Sequence, residues 1–504
     1  MHSYRRRDLV LPVRVARLAR IALGTSLLAA AFLALPARSA GASPSRPATG
    51  DDPAGPIPTI DGISMTHAVA PAALIVALAA IHRNVPAFSR QTGLACSSCH
   101  YQFPQLTPFG RTFKLNGYTL TGLPTISQPG DSAGKESLKL LTIPQLSAML
   151  VSSVTQTSKG VPGTQNGSFA LPQQLSVFLA GAITPKIGTF TQFTYSARGG
   201  TFGIDNIDLR YADHRTIGDR DMLYGLTLHN NPTVQDVWNT VPAWAYPFMS
   251  SAAAPSTIAS TLIDGGLGQQ VVGLGAYSLY DNLLYTEFTA YRSSPQGAAM
   301  PLDSSAKNVA AGAIPYWRVA LQHETPSTSL MLGTFGFDAH LYPTGVSGAR
   351  NHFSDVAVDG QVEQRHGPAT WIGRASMIHE RQELTATQSA SAADAMIRTL
   401  STARASVAYL PNSKYGFTLG YFQTTGTGDT SRYAPQTVVG SRTGLPNTSG
   451  AIGEIAYNAW QNARVGLQYT AYNRFNGAAT AYDVTGGRNA SDNNTLYLHL
   501  WVAF

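Results

Sequence analysis

Both cysteines of this 504-residue chain lie in one short motif, Cys96-Ser97-Ser98-Cys99-His100. The C-x-x-C-H pattern is the attachment sequence of a c-type haem, in which two thiols bond to the porphyrin and the histidine ligates the iron. Because the chain has no third cysteine, one cofactor accounts for every thiol. We therefore predict one covalently attached haem c, bound through Cys96 and Cys99, with His100 as the protein ligand of its iron.

Two other uses of a C-x-x-C pair fit the sequence less well. A structural zinc site takes about four ligands, and the chain offers no second cysteine pair. A thioredoxin-like redox pair is expected beside a βαβ pattern, which the sequence does not show.

The ligand on the opposite face of the haem is not fixed by sequence spacing. A methionine or histidine in that position sets the reduction potential, and the candidates are Met149, His82, Met65 and His67. The last three are lost if an export signal is cleaved late. The sequence assigns none of them, and it identifies no catalytic residue.

Residues 1–42 are predicted to be an export signal. They carry seven arginines and one acid, so they contribute 7 − 1 = +6 of the formal net charge of +7. An apolar core at 21–36 is followed by the small residues Ala40-Gly41-Ala42, which suit a signal-peptide cleavage site. The remaining chain is close to neutral, so nothing indicates a nucleic-acid partner.

Residues 43–84 are interpreted as a linker, since 41–62 are rich in Pro, Ser, Gly and Asp. An apolar stretch at 68–81 lies within it. It fits a second targeting element, a periplasmic helix or a downstream start of the true chain, and its role stays open.

From residue 139 onward, apolar and polar residues alternate with the two-residue period of a β-strand. In 206–211, for example, Ile207, Leu209 and Tyr211 alternate with Asn206, Asp208 and Arg210. Charged residues make up only 12% of the chain, about half of the ~25% that is usual in soluble domains. Strands that face lipid on one side and water on the other would give this low charged fraction. A soluble β protein with few charged residues is the alternative explanation.

The predicted fold class is mainly β: a short N-terminal c-type monohaem segment at 85–138, followed by an antiparallel transmembrane β-barrel at 139–504. Dividing the 366 residues of 139–504 by roughly 23 per strand and connection gives about sixteen strands. The last nine residues place Leu496, Leu498, Leu500, Val502 and Phe504 on one face. This pattern resembles the closing strand of an outer-membrane barrel, in which closure removes an aggregation-prone edge.

Residues 230–261 interrupt the alternation with several aromatic residues and prolines. We interpret this stretch as a long loop that is either extracellular or folded into the lumen. Its aromatic residues alternatively suit anchors at the membrane interface.

The sequence around the haem motif resembles the monohaem cytochrome–porin fusions of the outer membrane. The resemblance rests on residues 85–95, on 101–111 and 113–118 after the motif, and on 230–240 further along. The best-known members of that family oxidise ferrous iron. The resemblance implies an outer-membrane cytochrome that takes single electrons from an extracellular donor, Fe(II) in the first instance, and passes them to a periplasmic carrier.

The small size of the haem segment suggests a plug, held in the lumen or at the periplasmic end and packed around the haem. Residues 85–123 are too few to bury a large core of their own, since chains below ~40 residues need a staple to fold alone, and the haem can provide one. Lumen acids such as Asp205 and Asp208 are candidates for attracting a cation, or are ordinary lumen residues paired with Arg210.

Two other functions remain open: a diffusion porin with a haem-bearing plug, and a soluble periplasmic cytochrome with a β-rich domain. Outer-membrane lipid is a predicted partner of the barrel.

Overall fold

The computed structural model describes residues 85–120, 125–127, 139–141, 145–196, 200–294, 307–484 and 487–504. The predicted signal peptide and linker, together with Met65, His67 and His82, lie outside these residues. No helix in the described ranges is long and apolar enough to cross a membrane.

The N-terminal part of the described chain is a compact set of short elements. They are α1 (Ala87–Thr92), α2 (Cys96–Cys99), β1 (His100–Gln102), β2 (Gln105–Leu106) and α3 (Pro108–Leu115). Strands β1 and β2 pair as a small antiparallel hairpin. The Thr107 hydroxyl caps α3 by accepting from the Gly110 amide at 3.1 Å, and Pro108 occupies the first helical position, where its missing N–H costs nothing.

A second hairpin separates this segment from the main sheet. Strand β3 (Thr125–Ser127) pairs with β4 (Lys139–Leu141) in a two-stranded sheet of its own. The main sheet therefore begins at Leu146 and not at residue 139, where the alternation starts. Pro144, which has no backbone N–H to give to a ladder, lies between the two sheets in the sequence.

The main sheet is a closed antiparallel barrel, which confirms the predicted fold class. Sixteen strands in the described chain form its wall, and the two-residue strand β12 (Val309–Ala310) adds a short pairing to β14. The wall strands are β5 (Leu146–Thr157), β6 (Ser168–Thr184), β7 (Ile187–Ser196), β8 (Thr201–Ile217), β9 (Arg220–His229), β10 (Val271–Tyr280), β11 (Leu284–Ser293), β13 (Ile314–Glu324), β14 (Thr328–Tyr342), β15 (Asn351–His366), β16 (Ala369–Glu383), β17 (Ile397–Leu410), β18 (Tyr415–Gly426), β19 (Thr448–Trp460), β20 (Ala463–Arg474) and β21 (Thr495–Ala503). Short helical turns lie in the connections, at Pro242–Trp244, Leu262–Gly266, α4 (Thr385–Ser389) and Ala490–Asn493.

The closing pair joins the last strand to the first. Strand β21 lies between β20 and β5, with Thr495 opposite Thr157 and Ala503 opposite Met149. The predicted closing strand is thus the one that seals the barrel and removes its edges.

The two faces of the wall differ sharply. Leu332 keeps 70% of its surface exposed on the outside, and Leu274 and Leu419 are similarly exposed, whereas Asp208 and Arg210 are fully buried on the inside. A closed antiparallel sheet with an apolar outer band and a polar interior is a porin-like outer-membrane barrel. The outer band does not suit the soluble alternative, because exposed apolar patches of this extent mark a membrane or another partner.

The connections identify the two ends of the barrel. At one end the turns are short, such as 185–186, 218–219 and 461–462, while the other end carries the long connections 230–270, 427–447 and 475–494. In outer-membrane barrels the short turns are periplasmic and the long loops extracellular. Met149 and Ala503 therefore lie at the periplasmic end.

The connection 230–270 folds into the lumen. Trp238 is only 1% exposed and packs edge-on against Tyr285 of the wall at 5.2 Å between ring centroids. The Arg374 side chain donates to the Trp238 carbonyl at 3.1 Å, and the Met249 carbonyl accepts from Gln468 at 3.2 Å. The sequence left open whether this loop is extracellular or folded into the lumen, and in the structure it is folded into the lumen. Trp238 is therefore a buried luminal residue and not an anchor at the membrane interface.

Candidate haem site

The C-x-x-C-H motif forms one tight turn followed by an extended residue. Cys96 and Cys99 begin and end α2, and the His100 amide donates to the Cys96 carbonyl. The Cys96 amide donates to the Gln461 side chain at 3.1 Å, in the short turn between β19 and β20. The motif thereby contacts the periplasmic end of the barrel wall.

Residues after the motif hold this turn in place. The Thr107 hydroxyl donates to the Ser98 carbonyl at 2.6 Å, and the Thr107 amide donates to the Cys99 carbonyl at 2.9 Å. A Cβ atom added at Gly110 would lie 2.1 Å from the Cys99 carbonyl oxygen. Only glycine lets α3 approach the Cys96–Cys99 turn this closely.

Both cysteines and His100 line one cavity of about 360 Å³, a volume within the range of small-molecule and cofactor sites. Its walls come from the N-terminal segment, the barrel and the luminal loop. They are mostly apolar, with the aromatic residues Phe88, Phe103, Phe113, Phe178, Phe190, Trp244, Phe248 and Trp501.

The His100 ring is positioned by aromatic packing. It stacks on Phe103 at 4.0 Å between centroids, and Phe103 packs in turn on Trp501 of β21 at 4.6 Å. Burial lowers the pKa of His100 to about 4, against the opposing effect of the backbone at Pro104 and Gln105. The imidazole is therefore neutral at physiological pH, which is the form that ligates a metal.

The donor set fits a haem c. Burial raises the pKa of Cys96, and burial together with Cys96 raises the pKa of Cys99 to about 11, so neither thiol is a ready thiolate nucleophile. The two sulfurs, the neutral imidazole and the apolar walls meet in one cavity. The Nδ1 atom of His100 is buried without a hydrogen-bond partner among the described residues.

The haem segment bonds to the wall on several sides. The Arg111 side chain donates to Glu363 of β15 at 2.7 Å and to Glu324 of β13 at 2.8 Å. On another side, Tyr118 donates to Asp208 of β8 at 2.6 Å. These contacts lie inside the barrel, because the carboxylates belong to the inward faces of their strands.

The luminal loop joins the same assembly. The Lys114 ammonium group donates to the carbonyls of Val234 and Asp236, at 2.6 and 3.0 Å, and lies 5.0 Å from the centre of the Trp244 ring. Residues 230–240, which are part of the family resemblance, therefore contact the haem segment directly.

The two lumen acids have different surroundings. Asp208 forms a buried ion pair with Arg210 at 2.9 Å, as one of the two sequence interpretations has it. Asp205 lines the same cavity as Cys96 and His100 and accepts from Thr194 at 3.1 Å and Gln269 at 3.0 Å. No ion pair of Asp205 occurs within the described ranges.

Among the candidate axial ligands, Met149 lines the cavity. Met249 of the luminal loop lines it too, and both methionines, like Phe103, pack against the buried cluster of Val151, Trp501 and Ala503. Sequence reasoning missed Met249 because it lies far from the motif in the chain. It also missed Thr107 and Gly110, although their place just after the motif is a usable signal.

Comparisons with known proteins give only structural likenesses. No family model and no curated protein matches the chain. The outer-membrane channel DcaP of Acinetobacter baumannii is 11% identical with a TM-score of 0.41, covering 71% of this chain and 96% of its own. Salmonella typhi OmpF, in complex with daunomycin, is 12% identical with a TM-score of 0.40, over 71% and 97%. An anion-selective porin from Comamonas acidovorans is 9% identical with a TM-score of 0.41, over 71% and 98%. At these scores the likeness carries no argument about function.

Proposed function

We propose that this chain is an outer-membrane c-type cytochrome whose N-terminal segment is a haem-bearing plug inside a porin-like barrel. It transfers single electrons from an extracellular donor, Fe(II), to a periplasmic electron carrier. One observation carries the proposal: Cys96, Cys99 and His100 line a single apolar cavity within the barrel.

Each residue of the site has a defined task. Cys96 and Cys99 would hold the cofactor covalently, His100 would ligate its iron, and Phe103 with Trp501 would keep water from the imidazole. A haem c held there would supply one-electron redox chemistry, which matches the single electron that ferrous iron loses on becoming ferric.

The extent of the cavity bears on how a donor reaches the site. Trp501 and Ala503 line it at the periplasmic end, whereas Gln174 lies ten residues (184 − 174) from the periplasmic end of β6. Ten residues of strand are about 33 Å long, or roughly 25 Å along the barrel axis at the usual tilt. The cavity lining therefore extends far enough toward the outside to shorten the path from an extracellular donor.

Asp205 is the carboxylate we assign to the donor side. It lies near the outward end of β8 and lines the cavity. A negative side chain in a narrow, low-dielectric lumen raises the local concentration of cations. Asp208 does not serve this purpose, because Arg210 neutralises it.

The test uses full-length protein extracted from the outer membrane in detergent. Peroxidase staining of the denatured chain is expected to reveal covalent haem, which Cys96→Ala with Cys99→Ala abolishes. Anaerobic stopped-flow mixing with Fe(II) is expected to reduce the haem of the wild type. Asp205→Asn is expected to slow that reduction about 3–10-fold at low ionic strength, whereas the exposed Asp219→Asn in a periplasmic turn leaves the rate unchanged.

A diffusion porin with a haem-bearing plug is the second candidate, favoured by the porin-like barrel. A haem that Fe(II) leaves oxidised, together with large conductance in planar bilayers, would establish it instead. The bonds that tie the segment and the luminal loop to the wall favour low conductance. His100→Ala is expected to stop electron transfer while the barrel still assembles, which heat-modifiable migration on a gel reports.

A further inference from the structure

Three ligand-type side chains meet on the outer surface of the barrel, away from the haem. Asp338 and His340 lie near the outward end of β14, and His352 lies at the start of β15. His340 and His352 are direct partners across the two strands. They share the outward face with Leu330 and Leu332 of the apolar band but lie beyond that band, toward the extracellular loops.

The geometry brings one nitrogen of each histidine to the same carboxylate. The His352 Nε2 atom lies 2.7 Å from one Asp338 carboxylate oxygen, and the His340 Nε2 atom lies 3.9 Å from the other. The two imidazole rings stack at 4.2 Å with an angle of 13° between their planes. One ligand atom from each of the three residues lies within 4.8 Å of the other two.

A second carboxylate lies behind His352. The Glu383 carboxylate of β16 is 3.7 Å from the other ring nitrogen, Nδ1, and Arg381 holds that carboxylate by an ion pair at 2.7 Å. A carboxylate on the far nitrogen orients a metal-ligating imidazole and raises its basicity.

We propose that Asp338, His340 and His352 bind one divalent first-row transition metal ion at the extracellular rim of the barrel. Two histidines and one carboxylate are the ligand set of open three-ligand sites for Zn²⁺ and Fe²⁺. In a tetrahedral site, metal–ligand bonds of ~2.0–2.2 Å place the ligand atoms about 3.3–3.6 Å apart. The three ligand atoms lie within 4.8 Å of one another, and they reach the tetrahedral spacing with side-chain shifts of about 1 Å.

The ion-pair explanation accounts for only part of this arrangement. It explains His352 beside Asp338, but it gives no reason for a second imidazole stacked 4.2 Å away with its Nε2 atom 3.9 Å from the same carboxylate. A cation shared by both nitrogens and the carboxylate accounts for all three side chains. The site is separate from the haem cavity, so the proposal does not rest on the proposed function.

The experiment measures Zn²⁺ binding to the full-length, untagged protein in detergent by equilibrium dialysis and metal analysis. Zinc is counted separately from haem iron, so haem loading does not affect the result. The wild type is expected to bind one Zn²⁺ more per chain than Asp338→Asn or His352→Ala. Glu383→Gln is expected to weaken binding about 10–100-fold.

His379→Ala is the matched control. His379 also faces outward on β16, but it bonds to Ser401 and lies outside the cluster, so its loss is expected to leave the stoichiometry unchanged. Equal Zn²⁺ binding by the wild type and both ligand variants would overturn the proposal, as would no binding by the wild type at millimolar zinc. Heat-modifiable migration shows that each variant retains its barrel.

Discussion

The guanidinium group of Arg111 on α3 donates to the Glu363 carboxylate on β15 at 2.7 Å, and both side chains are almost fully buried. The second Nη atom donates to Glu324 and to Ser329, each at 2.8 Å. The Tyr101 hydroxyl completes the cluster by donating to Glu363 at 3.1 Å. A single side chain thus connects the haem segment to three neighbouring strands.

Replacing Arg111 by Met is expected to release the haem segment from the wall. Removing one partner of a buried ion pair costs about 3–5 kcal/mol, because the remaining charge stays buried without its counter-ion. Hydrogen exchange of the α3 amides, followed by mass spectrometry, is expected to report a loss of protection of that size. Lys186→Ala removes the solvent-exposed pair with Asp213 and is expected to leave the protection of α3 nearly unchanged, because water screens such a pair. Equal effects of the two substitutions would show that Arg111 does not anchor the segment.

Gly110→Ala is expected to lower the fraction of chains that carry covalent haem. Its Cβ atom would lie 2.1 Å from the Cys99 carbonyl oxygen, so α3 must move away from the turn that presents both thiols. Haem content per chain, from absorbance and peroxidase staining, measures the loss. Gly453→Ala is the control, since nothing lies within 4 Å of a Cβ atom there. Full haem loading of Gly110→Ala would mean that attachment tolerates a displaced helix.

The barrel was predictable because its signal is repeated along the chain. Alternation such as that of Ile207, Leu209 and Tyr211 against Asp208 and Arg210 recurs in strand after strand, and closure follows from the need to satisfy every edge in lipid. The start of the wall was less accessible. Lys139–Leu141 is a strand, but it pairs with Thr125–Ser127 and not with the barrel wall. The two-residue alternation predicts that a segment is a strand, but it does not indicate which strand is its partner.

The candidate haem site was only half predictable, for a physical reason. The C-x-x-C-H motif spans only five residues, so Cys96, Cys99 and His100 can be identified from their spacing in the sequence. The cavity walls come from distant places, with Phe103 against Trp501 across almost 400 positions of sequence (501 − 103 = 398). Met249 reaches the cavity only because residues 230–270 fold inward, and sequence patterning does not distinguish a luminal loop from an extracellular one.

Met149 and Met249 are the two thioethers on the cavity wall among the described residues. Leu in place of Met keeps the side-chain volume nearly constant, so Met149→Leu and Met249→Leu test ligation without opening a cavity. Because methionine ligation raises the potential of a c-type haem, we expect one of the two variants to have a lower midpoint potential and the other to resemble the wild type. Spectroelectrochemical titration of each purified variant measures this. Unchanged potentials in both variants would exclude a methionine ligand from this cavity wall.

The extracellular connections offer a prediction about acid. Asp394, between α4 and β17, accepts from the Ser431 and Thr430 hydroxyls at 2.5 and 2.8 Å. The hydrogen bond from the Ser431 side chain is the largest cause, and the bond from the Thr430 side chain adds to it. Together with the backbone bonds of both residues, they lower the pKa of Asp394 from 3.8 to about 2. A depressed carboxyl pKa stabilises the folded loops above the ordinary value, and the contribution disappears as the pH falls through the folded value.

We therefore expect the connection 427–447 to resist pepsin at about pH 4 and to become cleavable as the pH falls toward about 2. Asp394→Ala is expected to be cleaved there across that whole interval, because the bonds to Ser431 and Thr430 are absent at every pH. The cleavage rate, followed by mass spectrometry of the released peptides, measures the difference. Asp219→Asn serves as the control, since its side chain is 93% exposed at the opposite end of the barrel. Identical cleavage of the wild type and Asp394→Ala at about pH 4 would show that this carboxylate does not hold the two connections together.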